Sequence, residues 1–472
     1  FLCCRLRADQ QDIGPRNLLR KIWPGLCLTL AAALIGYLGL ALTPFPGLRQ
    51  MAVFSALGLI FAWLTVLCWF PIFTNSGKLR ASTAALAFGA SRARWPLLRG
   101  NLAGYAVTAL FILLAALGIA RLQVSDDIRS LQKTPPNLLA DQLKLSRLLD
   151  APTPVQFYLI RADTTEQLLQ REEALQTRLQ PLIERKVISG YQAISSWSPS
   201  AKRQRENQQL AQSALLAADG PLPAIAQQIG EDAAWIAKMK TGIAAPQTIL
   251  TPDAFLHTPA GEPSRYLWLG QIADQSGRAR YASIVALRGV NNYANLPLLA
   301  QAADPRQEVQ WVDKVGEVSA VLGSYRRYMS WVAAGAYLAI FALLFWRYRL
   351  SAWRILLAPA AASIATLAAL GWLGLPLQLF HVLALMLILG LGVDYGIFLR
   401  EEPNRQDRFA WLAVGLSAVS ALLAFGLLAL SQTPPLHAFG LTMLIGMAIV
   451  WLLSPCTAQT TTTLTRIEKK ND

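Results

Sequence analysis

Long apolar runs alternate along the chain with short blocks of charge. A bilayer core about 30 Å thick takes roughly 20 apolar residues per helix, and eight stretches approach that length: Ile22–Leu42, Met51–Phe73, Leu102–Ala120, Met329–Trp346, Ile355–Leu373, Leu377–Leu399, Phe409–Leu430 and Phe439–Leu453. Their order predicts an α-helical polytopic membrane protein. It reads as a stub (1–21), two spans (22–75), a basic linker (76–100), one span (101–120), a large polar region (121–328), a five-span bundle (329–458) and a tail (459–472).

The polar region has a different rhythm. Val155–Arg161 is strand-like, Thr164–Lys186 is helical from a Thr-Thr-Glu start, and Val187–Ser196 is strand-like again. A helical stretch over Pro199–Thr241 follows. Arg265–Ile272 and Ala279–Val290 then read as a strand pair around the turn Asp274-Gln275-Ser276-Gly277. A last strand, Glu308–Val312, leads into a helix from about Asp313 that feeds the next span. This order predicts an inserted α+β domain of split β-α-β type.

Composition supports the membrane reading: 54% of the 472 residues are hydrophobic and only 15% are charged. The formal charge of +15 would suggest nucleic acid if it lay on one soluble face. Divided by segment, it lies instead in alternate short loops, with Arg16, Arg20 and Lys21, then Arg92, Arg94 and Arg99, then Arg347, Arg349 and Arg354, then Arg400, Arg405 and Arg408. The opposite short loops hold only Arg49. That asymmetry marks the basic loops, both termini and the linker as cytoplasmic and 121–328 as periplasmic, in a bacterial inner membrane, and makes nucleic acid an unneeded partner. The linker, with Leu79, Leu86 and Phe88 at helical spacing, is expected along the inner membrane surface. No cysteine falls in 121–328, so that domain needs no disulfide framework.

One acid stands alone inside a span. Asp394 sits in Gly390-Leu391-Gly392-Val393-Asp394-Tyr395-Gly396, where an ionised carboxylate costs about 2.5–3.5 kcal/mol on insertion scales and normally faces a bundle interior. Its structural reading is a hydrogen-bond anchor between helices; its functional reading is a proton-binding group, with Tyr395 as orienting donor and His381 at the start of the same span as a further relay member. Gly390, Gly392 and Gly396 provide close helix packing at the relay, and Ser417 and Ser420 are candidate neighbours. Trp69, Trp346, Trp353, Trp372 and Trp411 near span ends read as interface anchors.

Enzyme signatures are missing from the sequence. It has no Gly-rich phosphate loop and no Gly-x-Ser-x-Gly elbow, and its three histidines are scattered with no zinc spacing. No cofactor and no metal are expected.

An internal repeat is also visible: Pro46-Gly47-Leu48 with Phe54 and Gly58 parallels Pro434-Pro435-Leu436 with Thr442 and Gly446, each introduced by a Thr-Pro pair. Phe1-Leu2 before a basic block parallels Phe398-Leu399-Arg400. The parallel leads to the expectation that a first half precedes Phe1.

The Gly390–Phe398 stretch (GLGVDYGIF) resembles the resistance-nodulation-division (RND) superfamily, in particular its lipid-exporting branch of MMPL-type predicted exporters. Phe380-His381, the Pro46-Gly47-Leu48-Arg49-Gln50 turn, Asp126-Asp127-Ile128-Arg129-Ser130-Leu131 and the order of spans extend the resemblance over nearly the whole chain. It implies two halves of six spans, each with a porter-like periplasmic domain, of which this chain would hold spans five to twelve. It further implies transport driven by proton motive force through Asp-Tyr pairs on the fourth and tenth spans, the tenth-span pair matching Asp394 and Tyr395. The partners it implies are protons, membrane lipids, the missing first half and a hydrophobic substrate such as an acyl lipid, glycolipid, hopanoid or polyene pigment. The alternative is a non-transport auxiliary on the same fold, of protein-translocation or sterol-sensing type.

Overall fold

A computed structural model describes residue 3 and residues 15–457, leaving out 43–45, 74–81, 95–101, 134, 136, 139, 142–143, 146–151, 218–219, 246–247, 274–276, 291–292 and 402–407. Residues 1, 2 and 4–14 of the stub, the tail, both the Phe1-Leu2 and Thr43-Pro44 motifs, Leu79, Arg99, Arg405 and the turn residues Asp274 to Ser276 lie outside the described residues, whereas 15–21 form the start of a helix. The chain divides into two compact units, Phe1–Lys133 with Val318–Asp472, and Thr134–Glu317.

The first unit is a set of apolar helices: α1 (Pro15–Ala41), α2 (Pro46–Cys68), the linker helix α3 (Thr83–Ala90) and α4 (Leu102–Ala120), joined later in the chain by five more. Among the described residues, six helical segments are long and apolar enough to cross a membrane, and a shorter apolar helix covers Gly104–Ala120. One of the six, Lys314–Trp372, contains two successive helices. The chain is therefore a multi-pass membrane protein.

The second unit is a five-stranded antiparallel sheet with helices. β1 (Pro152–Ala162) is followed by α5 (Thr165–Glu184), β2 (Gly190–Gln192), α6 (Ala201–Leu215), α7 (Leu222–Ile229), α8 (Ala233–Ala244), β3 (Trp268–Ala273), β4 (Ala279–Arg288), α9 (Leu296–Ala302) and β5 (Val309–Asp313). Strand order is β2-β4-β1-β5, with β3 also on β4. β2 pairs with Ala286 to Arg288 and β3 with Ala279 to Ser283, so the two lie end to end along one edge of β4. β1 and β2, joined through α5, thus flank β4, which splits them.

Period-two burial builds the core: Tyr158, Ile160 and Ala162 of β1 face Leu168, Leu175, Leu179 and Leu182, spaced along one stripe of α5. Thr164 caps α5 by accepting from the Gln167 amide (3.2 Å). Two α5 carboxylates then start α6, whose first amides have no helical partner: Glu173 accepts from Ser200 N and Oγ, and Glu166 accepts from Ala201 N (2.6 Å) and Lys202 N (3.1 Å). Glu172, fully buried, accepts from Ser195 N at 2.8 Å and from Ser283 Oγ. Burial pushes its carboxyl up while these hydrogen bonds pull it down, and the net direction is up.

The remaining helices of the first unit are α10 (Lys314–Tyr348, of which the unit holds the part from Val318 on), α11 (Ala352–Trp372), α12 (Leu379–Glu401), α13 (Arg408–Ala421) and α14 (Pro434–Leu453). α12 sits at their centre: 72% of its apolar window is buried against 11% for the segment Arg49–Phe73. The segment leaving α4 is tied to α10 by Arg326, which donates to both oxygens of Asp126 at 2.7 and 3.0 Å, and by Ser319 Oγ, which accepts from Ile128 N.

The described part of the linker packs on helices rather than standing clear of them. Phe88 stacks on Trp411 and Trp451, with ring centroids 6.2 and 6.4 Å away, and Gly415 leaves the room for it. Trp411 is completely buried and donates to Ser91 Oγ at 3.1 Å. The interface-anchor reading of Trp411 is thereby corrected: the linker helix covers the ring that span-end position alone would expose. Trp69, Trp346, Trp353 and Trp372 are exposed.

Candidate functional site

Asp394 lies about two-thirds of the way along α12, with its neighbours Val393 and Ile397 packed in an apolar cluster. Its Oδ1 is buried and has no hydrogen-bond partner, and the residue as a whole is half-buried because it borders a cavity. That cavity, about 240 Å³, is walled by α1, α12 and α13 and lined by Gly25, Thr29, Asp394, Tyr395, Glu401 and Ser417 among others. The Tyr395 ring is buried, and Ser417 stands close beside its hydroxyl without meeting hydrogen-bond geometry. An uncompensated carboxylate oxygen in such surroundings is strongly disfavoured unless protonated or hydrated, so the site can hold a proton and, through the cavity, exchange it.

Glu401 marks the other end of this cavity, two helical turns or about 10 Å along α12 from Asp394. Tyr348 donates to Glu401 Oε1 at 3.4 Å. α1 passes directly over the carboxylate, since a β-carbon at Gly25 would stand 2.0 Å from Glu401 Oε2. Sequence reasoning missed Gly25, Thr29 and Glu401. The signal that could have found Glu401 is its seven-residue spacing from Asp394, which puts both on one face of a helix.

The three glycines of α12 meet different neighbours. A β-carbon at Gly396 would lie 2.8 Å from Ile355 Cγ2 and 3.2 Å from the Ile355 carbonyl oxygen. That carbonyl is the one Pro359, inside α11, cannot bond for want of an N–H. At Gly392 a β-carbon would lie 3.1 Å from both Pro359 Cβ and Val450 Cγ1. At Gly390 the nearest atom, Ala33 Cα, would be 3.9 Å away, an ordinary contact.

The structure brings Asp394, Tyr395 and Ser417 together at one cavity and leaves His381 and Ser420 out of it. Ser420 is exposed further along α13. His381 is thirteen residues before Asp394, about 20 Å along the helix. It lines a separate cavity of about 290 Å³ with Lys133, Gln378, Ser431 and His437. Among the described residues no group of three or more His, Cys, Asp or Glu side chains could hold a metal ion.

The chain matches no protein-family model and no curated protein. Among solved structures it is similar to a crystal structure of SecDF in a super-membrane-facing form, with 14% sequence identity and a TM-score of 0.45 over 99% of this chain. The chain spans 53% of that structure's length, about half.

Proposed function

We propose that this chain belongs to a secondary active transporter of the RND superfamily, of its MMPL-type branch, that exports a lipid-like or other hydrophobic molecule from a bacterial inner membrane. In this reading the sheet unit is a porter-like periplasmic domain, the basic loops are cytoplasmic, and no reaction is catalysed beyond transport. The observation that carries it is Asp394 Oδ1, buried without a partner on the most enclosed of the apolar helices and bordering a cavity that reaches Glu401. Protonated, the carboxyl is neutral and at ease among apolar neighbours; ionised, it demands water or a donor from across the cavity. Loss of the proton therefore favours a different packing of α1 and α13 around α12. A proton moving inward releases about 2.3 kcal/mol per 100 mV, enough to bias two arrangements a few kcal/mol apart.

The test is Asp394→Asn, which keeps size and hydrogen-bonding capacity but cannot titrate. In proteoliposomes with an imposed proton gradient, outward movement of a fluorescent acyl-lipid reporter is expected to fall at least tenfold, with membrane insertion unchanged. Gradient-driven movement at the wild-type rate would remove Asp394 from the mechanism, and absence of movement in the wild type would favour the non-transport auxiliary.

A further inference from the structure

At the opposite end of α12 from Glu401, the second cavity has a chemistry of its own. Its titratable lining groups are Lys133, His381 and His437, and no carboxylate lines it. α12 and α14, of 23 and 20 residues, both begin there, at Leu379 and Pro434, so the positive ends of two helix dipoles converge on it. The nearest acids on the adjoining segment are engaged elsewhere: Asp126 in its double bond to Arg326, and Asp127 as acceptor from Arg129 N with the Arg129 guanidinium 3.8 Å away.

The histidines are held in definite tautomers. His381, 97% buried (3% exposed), accepts from the Gln378 amide at Nδ1 (3.0 Å), so its proton sits on Nε2, for which the described residues offer no partner. His437 donates from Nδ1 to the Ala429 carbonyl (2.5 Å), a carbonyl left over where the helix after α13 ends in a 3-10 turn. Its Nε2 is thus an acceptor when the ring is neutral and a donor when it is protonated. Ser431 Oγ accepts from Thr433 N (3.2 Å), which leaves its hydroxyl proton free to donate. Leu375, Ala438 and Leu441 add apolar lining to the same cavity.

We infer that this cavity binds a phosphomonoester group, with Lys133 supplying charge, His381 Nε2–H and Ser431 donating to P–O⁻, and His437 meeting either P–OH or P–O⁻. A phosphomonoester is half-protonated near pH 6, so it offers the mixture of acceptors and one donor that the two tautomers require. A sulfate ester, never protonated there, cannot satisfy neutral His437. About 290 Å³ is roughly ten times a water molecule's share of liquid volume, room for the phosphate and the start of an apolar chain against Leu441. The inference concerns a site separate from Asp394, and its test reads binding, not transport.

The experiment is calorimetric titration of the intact protein in maltoside detergent with dodecyl phosphate, dodecyl sulfate, dodecanol and inorganic phosphate. Dodecyl phosphate is expected to bind at least tenfold more tightly than dodecyl sulfate, and Lys133→Gln and His437→Gln each to weaken it about tenfold. Lys133 is exposed, so its substitution leaves the fold intact. Inorganic phosphate binding as tightly as dodecyl phosphate assigns the site to a free anion; much weaker binding assigns it to an amphiphile headgroup. Equal binding of dodecyl phosphate and dodecanol, or wild-type affinity in both variants, overturns the inference.

Discussion

Arg326 holds Asp126 with two hydrogen bonds, 2.7 and 3.0 Å long, across two hundred residues of chain. Both side chains are largely buried, at 13% and 21% exposure, so removing one strands the other. Arg326→Ala is expected to destabilise the helical unit by about 3 kcal/mol, read as a drop in the thermal midpoint of the detergent-solubilised protein. Arg326→Lys should recover only part of this, because an ammonium cannot make the paired contact. An Ala variant as stable as wild type would show the pair to be idle.

The α12 glycines separate into two kinds. Gly396→Ala forces a methyl to 2.8 Å from Ile355 Cγ2 and is expected to cost about 1–3 kcal/mol through overpacking. Gly390→Ala meets nothing nearer than 3.9 Å and should change stability by less than about 0.5 kcal/mol. Thermal unfolding of the two variants side by side checks the order, and the reverse order would contradict the described packing.

Glu172 makes the sheet unit sensitive to pH. Its folded-state carboxyl is raised above an unfolded value of about 4.3. The folded state therefore binds the proton more tightly, and the stability this contributes is complete below the unfolded value and is lost as pH rises through the folded one. Glu172→Gln keeps an acceptor for Ser195 N and offers an amide to Ser283, without a charge. Its stability advantage over wild type should grow between pH 5 and pH 8; a difference independent of pH would show that Glu172 does not titrate in this window.

Trp411 fills a site with no exposed surface beneath the linker helix. Trp411→Ala is expected to cost about 3–5 kcal/mol and to expose the linker to protease cleavage near Ser91, since the indole N–H anchors that residue. Trp346→Ala, at a position 82% exposed, should leave both unchanged.

Much of this was legible in the sequence where a signal is local. The helix expected over Thr164–Lys186 is α5, Thr165–Glu184, because the Thr164 cap and the apolar stripe both lie within it. Three features were not legible. Val187–Ser196 reads as a strand, yet only Gly190–Gln192 pairs; Ile194–Ser196 turns as a 3-10 helix, bringing Ser195 N to Glu172. Pro199–Thr241 reads as one helical stretch but breaks into three at Pro221 and at Gly230, which adopts the left-handed conformation. At the candidate site, a lone acid in an apolar run singles out Asp394 without any tertiary knowledge. The pairing of α1 with α12, which brings Gly25 and Thr29 to the same cavity, depends on contacts across more than three hundred residues that no local pattern encodes.

The close contacts of α12 also define which of its sides can let go. At about 100° per residue, Gly392 and Gly396 point in nearly the same direction, while Gly390 and Asp394 share the opposite one. A β-carbon added at Gly392 or Gly396 on the first side would stand 2.8–3.1 Å from atoms of α11 and α14, whereas one at Gly390 on the second side, or at Gly36 of α1 facing it, would stand 3.8–3.9 Å from its neighbour. α12 is thus packed tightly at its back all along this stretch, while at its front the spacing from α1 is widest beside Gly390 and closes again where Gly25 meets Glu401. Any rearrangement that follows a change of charge on Asp394 is expected to part α12 from α1. If the proposed transport operates, a disulfide joining Gly36 to Gly390, both replaced by cysteine, should arrest it, whereas one between Ile355 and Gly396 should leave it running; the opposite result would place the moving seam behind the helix.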